Sequence, residues 1–166
     1  DSLERVLVKN PMIKSAQVYY SLDGYIHVNI QQREPVLRVL TGEGYYVDCD
    51  GRVMPLSSKF TSRVVVATGD INKKFACEKL GPFAMKLKNE PFWDAYIEQL
   101  VVRSNEDVVM IPKVGDFRIV LGKVDDCDAR LEKLILFLKD GITKKGWNRY
   151  KEINLKFDNQ VVCVRK

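Results

Sequence analysis

The sequence is poor in the residue types from which most active sites are built. Its 166 residues include one histidine, His27. Alternation places His27 with Asn29 and Gln31 on the polar side of a strand-like stretch. A Ser-His-Asp triad or a histidine-rich metal site would have to be assembled around that one surface group. The four cysteines, Cys49, Cys77, Cys127 and Cys163, lie far apart with no C-x-x-C pair, which excludes zinc-ribbon spacing and a dithiol redox motif. An even count permits disulfides in an oxidising compartment, with three pairings open; buried free thiols are the plainer reading. Glycine-rich phosphate loops are missing. So is any run approaching the ~20 apolar residues that span a bilayer. The opening Asp1-Ser2-Leu3-Glu4 reads as a helix start, not a signal peptide, which leaves room for a secreted or membrane-tethered parent. Charge of one sign is scarce too. The net charge of +5 is spread out, and the doublets Lys73-Lys74, Lys144-Lys145 and Arg165-Lys166 have no aromatic interleaving of the nucleic-acid-binding kind.

What is present is the composition of a folded chain, 46% hydrophobic and 30% charged. Leu3, Val6 and Leu7 have helical spacing, with Asp1 and Glu4 arranged like a capping box and Asn10-Pro11 as the stop. Ala16, Val18 and Tyr20, then Ile26, Val28 and Ile30, alternate about Asp23-Gly24 as a hairpin with one apolar face. A short helix on two strands has too little core to stand alone. Strands are expected over residues 36–40, 45–48, 52–56 and 64–67, the last closed by Thr68-Gly69. Helices are expected over 75–88 and 91–99, with Phe92, Ala95, Tyr96 and Leu100 on one face of the second. A meander follows over 100–103, 108–112 and 117–121. Leu131, Leu134, Ile135 and Leu138 mark an amphipathic helix over 128–139, capped by Asp128 and ended by Gly141. Two terminal strands flank Asp158-Asn159. Gly42-Glu43-Gly44 is the nearest thing to a domain joint.

Chemical motifs fail on inspection. Asp48-Cys49-Asp50-Gly51 faintly suggests a calcium loop, but its twelfth position is Lys59 where a bidentate glutamate is needed. Asp125, Asp126 and Asp128 gather where a helix begins, as capping residues do. Trp93 and Trp147 are candidate partner anchors, with a core role the commoner case. The last strands are the best candidate for a sheet edge, whose unpaired N–H and C=O groups can take an incoming strand.

Several blocks in order resemble the FtsQ/DivIB family of bacterial cell-division proteins. Leu7 to Pro11, Ile13 to Tyr20, Asp23-Gly24 and Gln32-Arg33-Glu34-Pro35-Val36 look like the end of a POTRA domain. Tyr45 to Gly51 with Met54-Pro55-Leu56, and Val65-Val66-Ala67-Thr68-Gly69, resemble the entry to the β domain that follows it. Ile153-Asn154-Leu155-Lys156-Phe157 stands where a family member often reads Asp-Leu-Arg-Tyr.

The resemblance implies an α+β fragment. Residues 1–40 would be the C-terminal part of a POTRA domain. Residues 41–166 would be a mixed β domain with a C-terminal amphipathic helix and a terminal strand pair. It implies a non-enzymatic scaffold of the division septum without cofactors, held at the inner membrane by a helix outside this sequence and facing the periplasm. Its partners would be FtsB/FtsL-type coiled-coil proteins and other divisome components, bound by strand addition. The carried-over site is Lys156, Phe157, Asp158, Asn159, Gln160, Val161, Val162, Cys163 and Val164. Arg33, Glu34 and Pro35 would serve recruitment or domain orientation. Two alternatives stay open: a POTRA-bearing component of outer-membrane assembly or secretion, and a periplasmic hydrolase with an unrecognised carboxylate pair.

Overall fold

The computed structural model describes residues 2–142 and 146–166, without the side chains at 141, 142 and 147. The expected Asp1 cap, the Lys144-Lys145 doublet and the Trp147 side chain lie outside the described residues. Helix α1 (Ser2–Val8) precedes the hairpin β1 (Ile13–Tyr20) and β2 (Ile26–Gln32), which forms a sheet of its own. The other strands are β3 (Pro35–Val39), β4 (Tyr45–Asp48), β5 (Val53–Pro55), β6 (Val65–Gly69), β7 (Ile97–Arg103), β8 (Asp107–Pro112), β9 (Arg118–Gly122), β10 (Tyr150–Asn154) and β11 (Val162–Arg165). They make one nine-stranded sheet in the order β11-β10-β9-β8-β7-β6-β3-β4-β5. Pairing is parallel for β10/β9, β7/β6 and β6/β3 and antiparallel elsewhere. The α+β class expected from the sequence is the class observed.

The helices α2 (Lys73–Phe75), α3 (Gly81–Asn89), α4 (Pro91–Tyr96) and α5 (Asp128–Phe137) bury one face of this sheet. Phe75, Leu80, Phe83, Leu87, Trp93, Leu131 and Leu134 share a continuous core with Leu37, Val39, Val47, Ala67, Leu100, Met110, Ile119, Ile153 and Leu155. Strand period explains the selection: alternate residues enter the core, and the intervening Arg38, Gln99, Val109 and Val120 point to the other face. Backbones come very close at Gly69, whose φ is +105° and where a Cβ would stand 2.1 Å from the Val102 carbonyl oxygen.

Several sequence expectations change at this point. The large sheet begins at Pro35, so the change of sheet falls at Arg33-Glu34 and not at Gly42-Glu43-Gly44. Thr68 and Gly69 continue β6 because they pair with Val101 and Val102. The expected helix over 91–99 ends at Tyr96, and β7 begins at Ile97, because β-branched and apolar residues there gain ladder pairs and core burial together. In α4 the buried residue is Trp93, 4% exposed, while Phe92 lies on the surface; burial removes Trp93 as a partner anchor. Asp128 makes no cap bond and pairs instead with Lys86, and a π-helical turn over Leu138–Ile142 carries the chain past Gly141.

Candidate functional site: an open sheet edge and a buried clamp

Strand β11 ends the nine-stranded sheet, with β10 on one side and, among the described residues, no strand on the other. The direction of its hydrogen-bonding groups follows from one bond. The Lys166 N–H donates to the Arg149 carbonyl at 3.1 Å, so it faces β10. Along an antiparallel strand the N–H and C=O groups of successive residues alternate sides. Val164 and Val162 therefore also face β10, and Cys163 and Arg165 turn theirs outward. The irregularity between Tyr150 and Glu152 is an extra residue in β10, so β11 keeps its alternation. An incoming strand would meet the main chain of Cys163 and Arg165.

Side chains divide the other way. Cys163 pairs with buried Ile153 and packs, with Val161, against the helix-covered core. Val162 and Val164, 36% and 39% exposed, sit beside Asn154 and Glu152 on the helix-free face. Burial pushes the Cys163 thiol above its ordinary pKa. Helix α5 steadies the approach to the edge: Lys133 Nζ donates to the carbonyls of Leu155 (3.1 Å) and Phe157 (2.5 Å). Phe137 meets the Tyr150 ring at 6.2 Å. Lys156 Nζ stands 3.4 Å from Asp107 Oδ1, an ion pair longer than a good hydrogen bond.

The opposite edge is built differently. β5 has three residues and ends on Pro55, which has no N–H to offer. A short edge closed by proline is a poor template for a further strand; β11 is the better one.

Of the expected stretch Lys156 to Val164, the strand takes only Val162, Cys163 and Val164. Lys156, Phe157, Asp158, Asn159, Gln160 and Val161 form the connection from β10, with Asn159 at φ 57° and Phe157 exposed. Arg165 belongs to the strand and was missed. The signal was available: its outward alternation continues that of Cys163.

Arg33 and Asp48 form the second constellation. Arg33 Nη1 donates to Asp48 Oδ2 at 2.7 Å, and Asp48 Oδ1 accepts from the N–H groups of Asp50 (3.0 Å) and Arg52 (2.7 Å). Asp48 is 1% exposed, so this carboxylate is desolvated and held by three donors. Gly51 completes the turn at φ +74°, where a Cβ would press within 3.1 Å of the Cys77 carbonyl oxygen. Beside it, Lys14 of β1 pairs with Asp50 at 3.0 Å. The hydrogen bond from Lys14 holds the Asp50 carboxyl below its usual range and raises the Lys14 ammonium. The carboxylates of this turn, Asp48 and Asp50, are thus spent on cations of the hairpin module and its exit. Pro35 is buried at the start of β3, and Glu34 is exposed.

Two of the acids around the start of α5 are engaged as well. Asp125 pairs with Lys79, and Asp128 with Lys86, tying the start of α5 to α3 and the turn before it. Among the described residues no cluster of three metal-ligating side chains occurs. His27 stacks on Tyr19 at 5.0 Å, with Nε2 3.1 Å from Ser21 Oγ. All four cysteines are free. A cleft of about 610 Å3 opens between the start of β6 and helices α3 and α4. Its rim mixes Arg63, Lys88 and Lys113 with Asp94 and Glu98 over an apolar floor, and no histidine or cysteine lines it. No described helix is long and apolar enough to cross a membrane.

No curated protein matches the chain at a significant level. A family model described as "FtsQ/DivIB, C-terminal related" matches residues 34–164, which begin at the change of sheet and end inside β11. That match spans most of the sequence, and the chain belongs to the FtsQ/DivIB C-terminal-related family of bacterial cell-division proteins.

Proposed function

We propose that this chain is a non-enzymatic scaffold of the division septum that binds its partners by strand addition at β11. Membership of a cell-division family supports the setting. The observation that carries the mechanism is the edge itself, where the main chain of Cys163 and Arg165 points outward and unpaired. Main-chain pairing supplies affinity in such complexes, and flanking side chains supply selectivity. Val162, Val164 and exposed Phe157 offer apolar contacts for that purpose. An open edge of this kind needs no catalytic group, and the partners we assign to it are FtsB/FtsL-type coiled-coil proteins. The residues before Pro35 are the end of a POTRA domain, and Arg33 with Asp48 fixes its orientation on the β domain. The chain works on the periplasmic side of the inner membrane, anchored by a helix outside this sequence.

The test is a titration with the membrane-proximal segment of an FtsB-type protein from the same organism, followed by backbone NMR. Shifts should concentrate in Val162 to Arg165. Proline separates the two sides of the strand: Cys163→Pro should abolish binding with the fold intact, because it removes an outward N–H. Val162→Pro should disturb the β10 ladder instead. A folded Cys163→Pro protein that binds as well as the parent would sink the mechanism.

A further inference from the structure

Cations around β11 are distributed unevenly. On the inner part of this end of the sheet they have partners: Arg118 with Glu152 at 2.9 Å, Lys156 with Asp107, Lys133 with two carbonyls, and Lys166 with Asp116 at 2.9 Å. Arg149, Lys151 and Arg165 are exposed and make no ion pair or side-chain hydrogen bond among the described residues. The register sets their main chains at one end of the edge, with Arg165 on the Cys163 side of the sheet and Arg149 on the other. Arg165 lies opposite Tyr150, between Arg149 and Lys151 in sequence, and Lys151 is the extra residue of the β10 irregularity. At the far end of the edge Asp158 is exposed in the turn, two residues from exposed Lys156. The outward N–H of Arg165 thus lies at the end of the edge where these three cations are attached.

We infer that the segment that pairs with β11 is acidic at the end lying beside Arg149, Lys151 and Arg165. This rests on the strand-addition reading. A carboxylate there would meet a concentrated positive potential, which speeds encounter and fixes the register of an added strand more than it deepens affinity. A basic end at Arg165 also selects one strand direction for a segment whose carboxylates lie at one end.

The probe is the FtsB-type segment of the titration above, beside a version with its carboxylates replaced by amides, and the protein is the 166-residue chain. Raising salt from about 50 mM to about 500 mM should weaken parent binding by roughly tenfold, since exposed charges are then screened. Lys151→Glu/Arg165→Glu should weaken binding at low salt by roughly tenfold or more and remove that salt dependence. The amide version should bind the parent weakly and the double variant no worse. Equal binding by parent and double variant, while Cys163→Pro abolishes it, overturns the inference and leaves strand addition standing. Loss with Lys151→Glu/Arg165→Glu of binding to phosphatidylglycerol vesicles alone, with the peptide still bound, assigns the cluster to a membrane surface and overturns it too. If Cys163→Pro binds normally, the underlying reading has failed instead.

Discussion

Replacing Arg33 with methionine removes one of the three donors that hold the Asp48 carboxylate. The two side chains are 14% and 1% exposed, and their contact is 2.7 Å. Breaking a fully buried pair by deleting one partner costs about 3–5 kcal/mol, because the surviving charge is left without compensation. Asp48 keeps two backbone N–H donors, at 3.0 and 2.7 Å, so the loss is partial. We expect Arg33→Met to cost about 2–3 kcal/mol. With a urea dependence of about 2 kcal/mol per molar for a chain of this size, the midpoint should fall by roughly 1 M. Asp48→Ala should cost more, because it strands Arg33 and both N–H groups of the turn. The double variant should cost little beyond Asp48→Ala, since the pair acts as one unit. Lys14→Met, which breaks the exposed neighbouring pair, should leave the midpoint nearly unmoved. Urea unfolding followed by tryptophan fluorescence measures all four. An Arg33→Met midpoint within about 0.2 M of the parent would refute the claim that this pair holds the two sheets in place.

Further outcomes follow from the same geometry. Cys49 is exposed, whereas burial pushes the thiols of Cys77, Cys127 and Cys163 up. A disulfide reagent near pH 8 should therefore titrate one fast thiol, and equal rates for Cys49 and Cys163 would contradict the packing of β11. Lys14 depresses the Asp50 carboxyl and Lys79 the Asp125 carboxyl below their ordinary value of 3.8. A depressed carboxyl adds stability above its unfolded pKa and loses it as pH falls through the folded one. These pairs should leave stability level between about pH 5 and pH 8 and weaken it only below about pH 4. Asp50→Asn should flatten part of that acid limb; an unchanged limb would show the pair to be inert.

The sequence made the strands of the large sheet legible because their apolar residues alternate and their turns carry glycine, as at Asp50-Gly51. It misled where a helix-compatible segment passes straight into a strand. Pro91 to Gln99 has no breaker between Tyr96 and Ile97, and only pairing with Pro112 and Ile111 of β8 decides the boundary. The sheet order was beyond local pattern, since β3 pairs with β4, next in the chain, and on its other side in parallel with β6, beyond β5. Arg33 was legible as a residue of note through its place before Glu34-Pro35. Its partner was not, because Asp48 looked like the first position of a turn or calcium loop. The edge was legible in location but too long in extent: Asp158-Asn159 marked the turn between the terminal strands, but where the strand resumes is fixed only by the pairing of Ile153–Asn154 with Cys163–Val162.

The most direct test of strand addition is residue-resolved amide exchange with and without the FtsB-type segment. In the free protein the Val162 and Val164 amides should exchange slowly, because they donate to β10, and those of Cys163 and Arg165 should exchange fast. Saturation with the segment should slow Cys163 and Arg165 and leave Val162 and Val164 nearly unchanged. Protection that appears elsewhere, with Cys163 and Arg165 still fast in the saturated complex, would contradict the account.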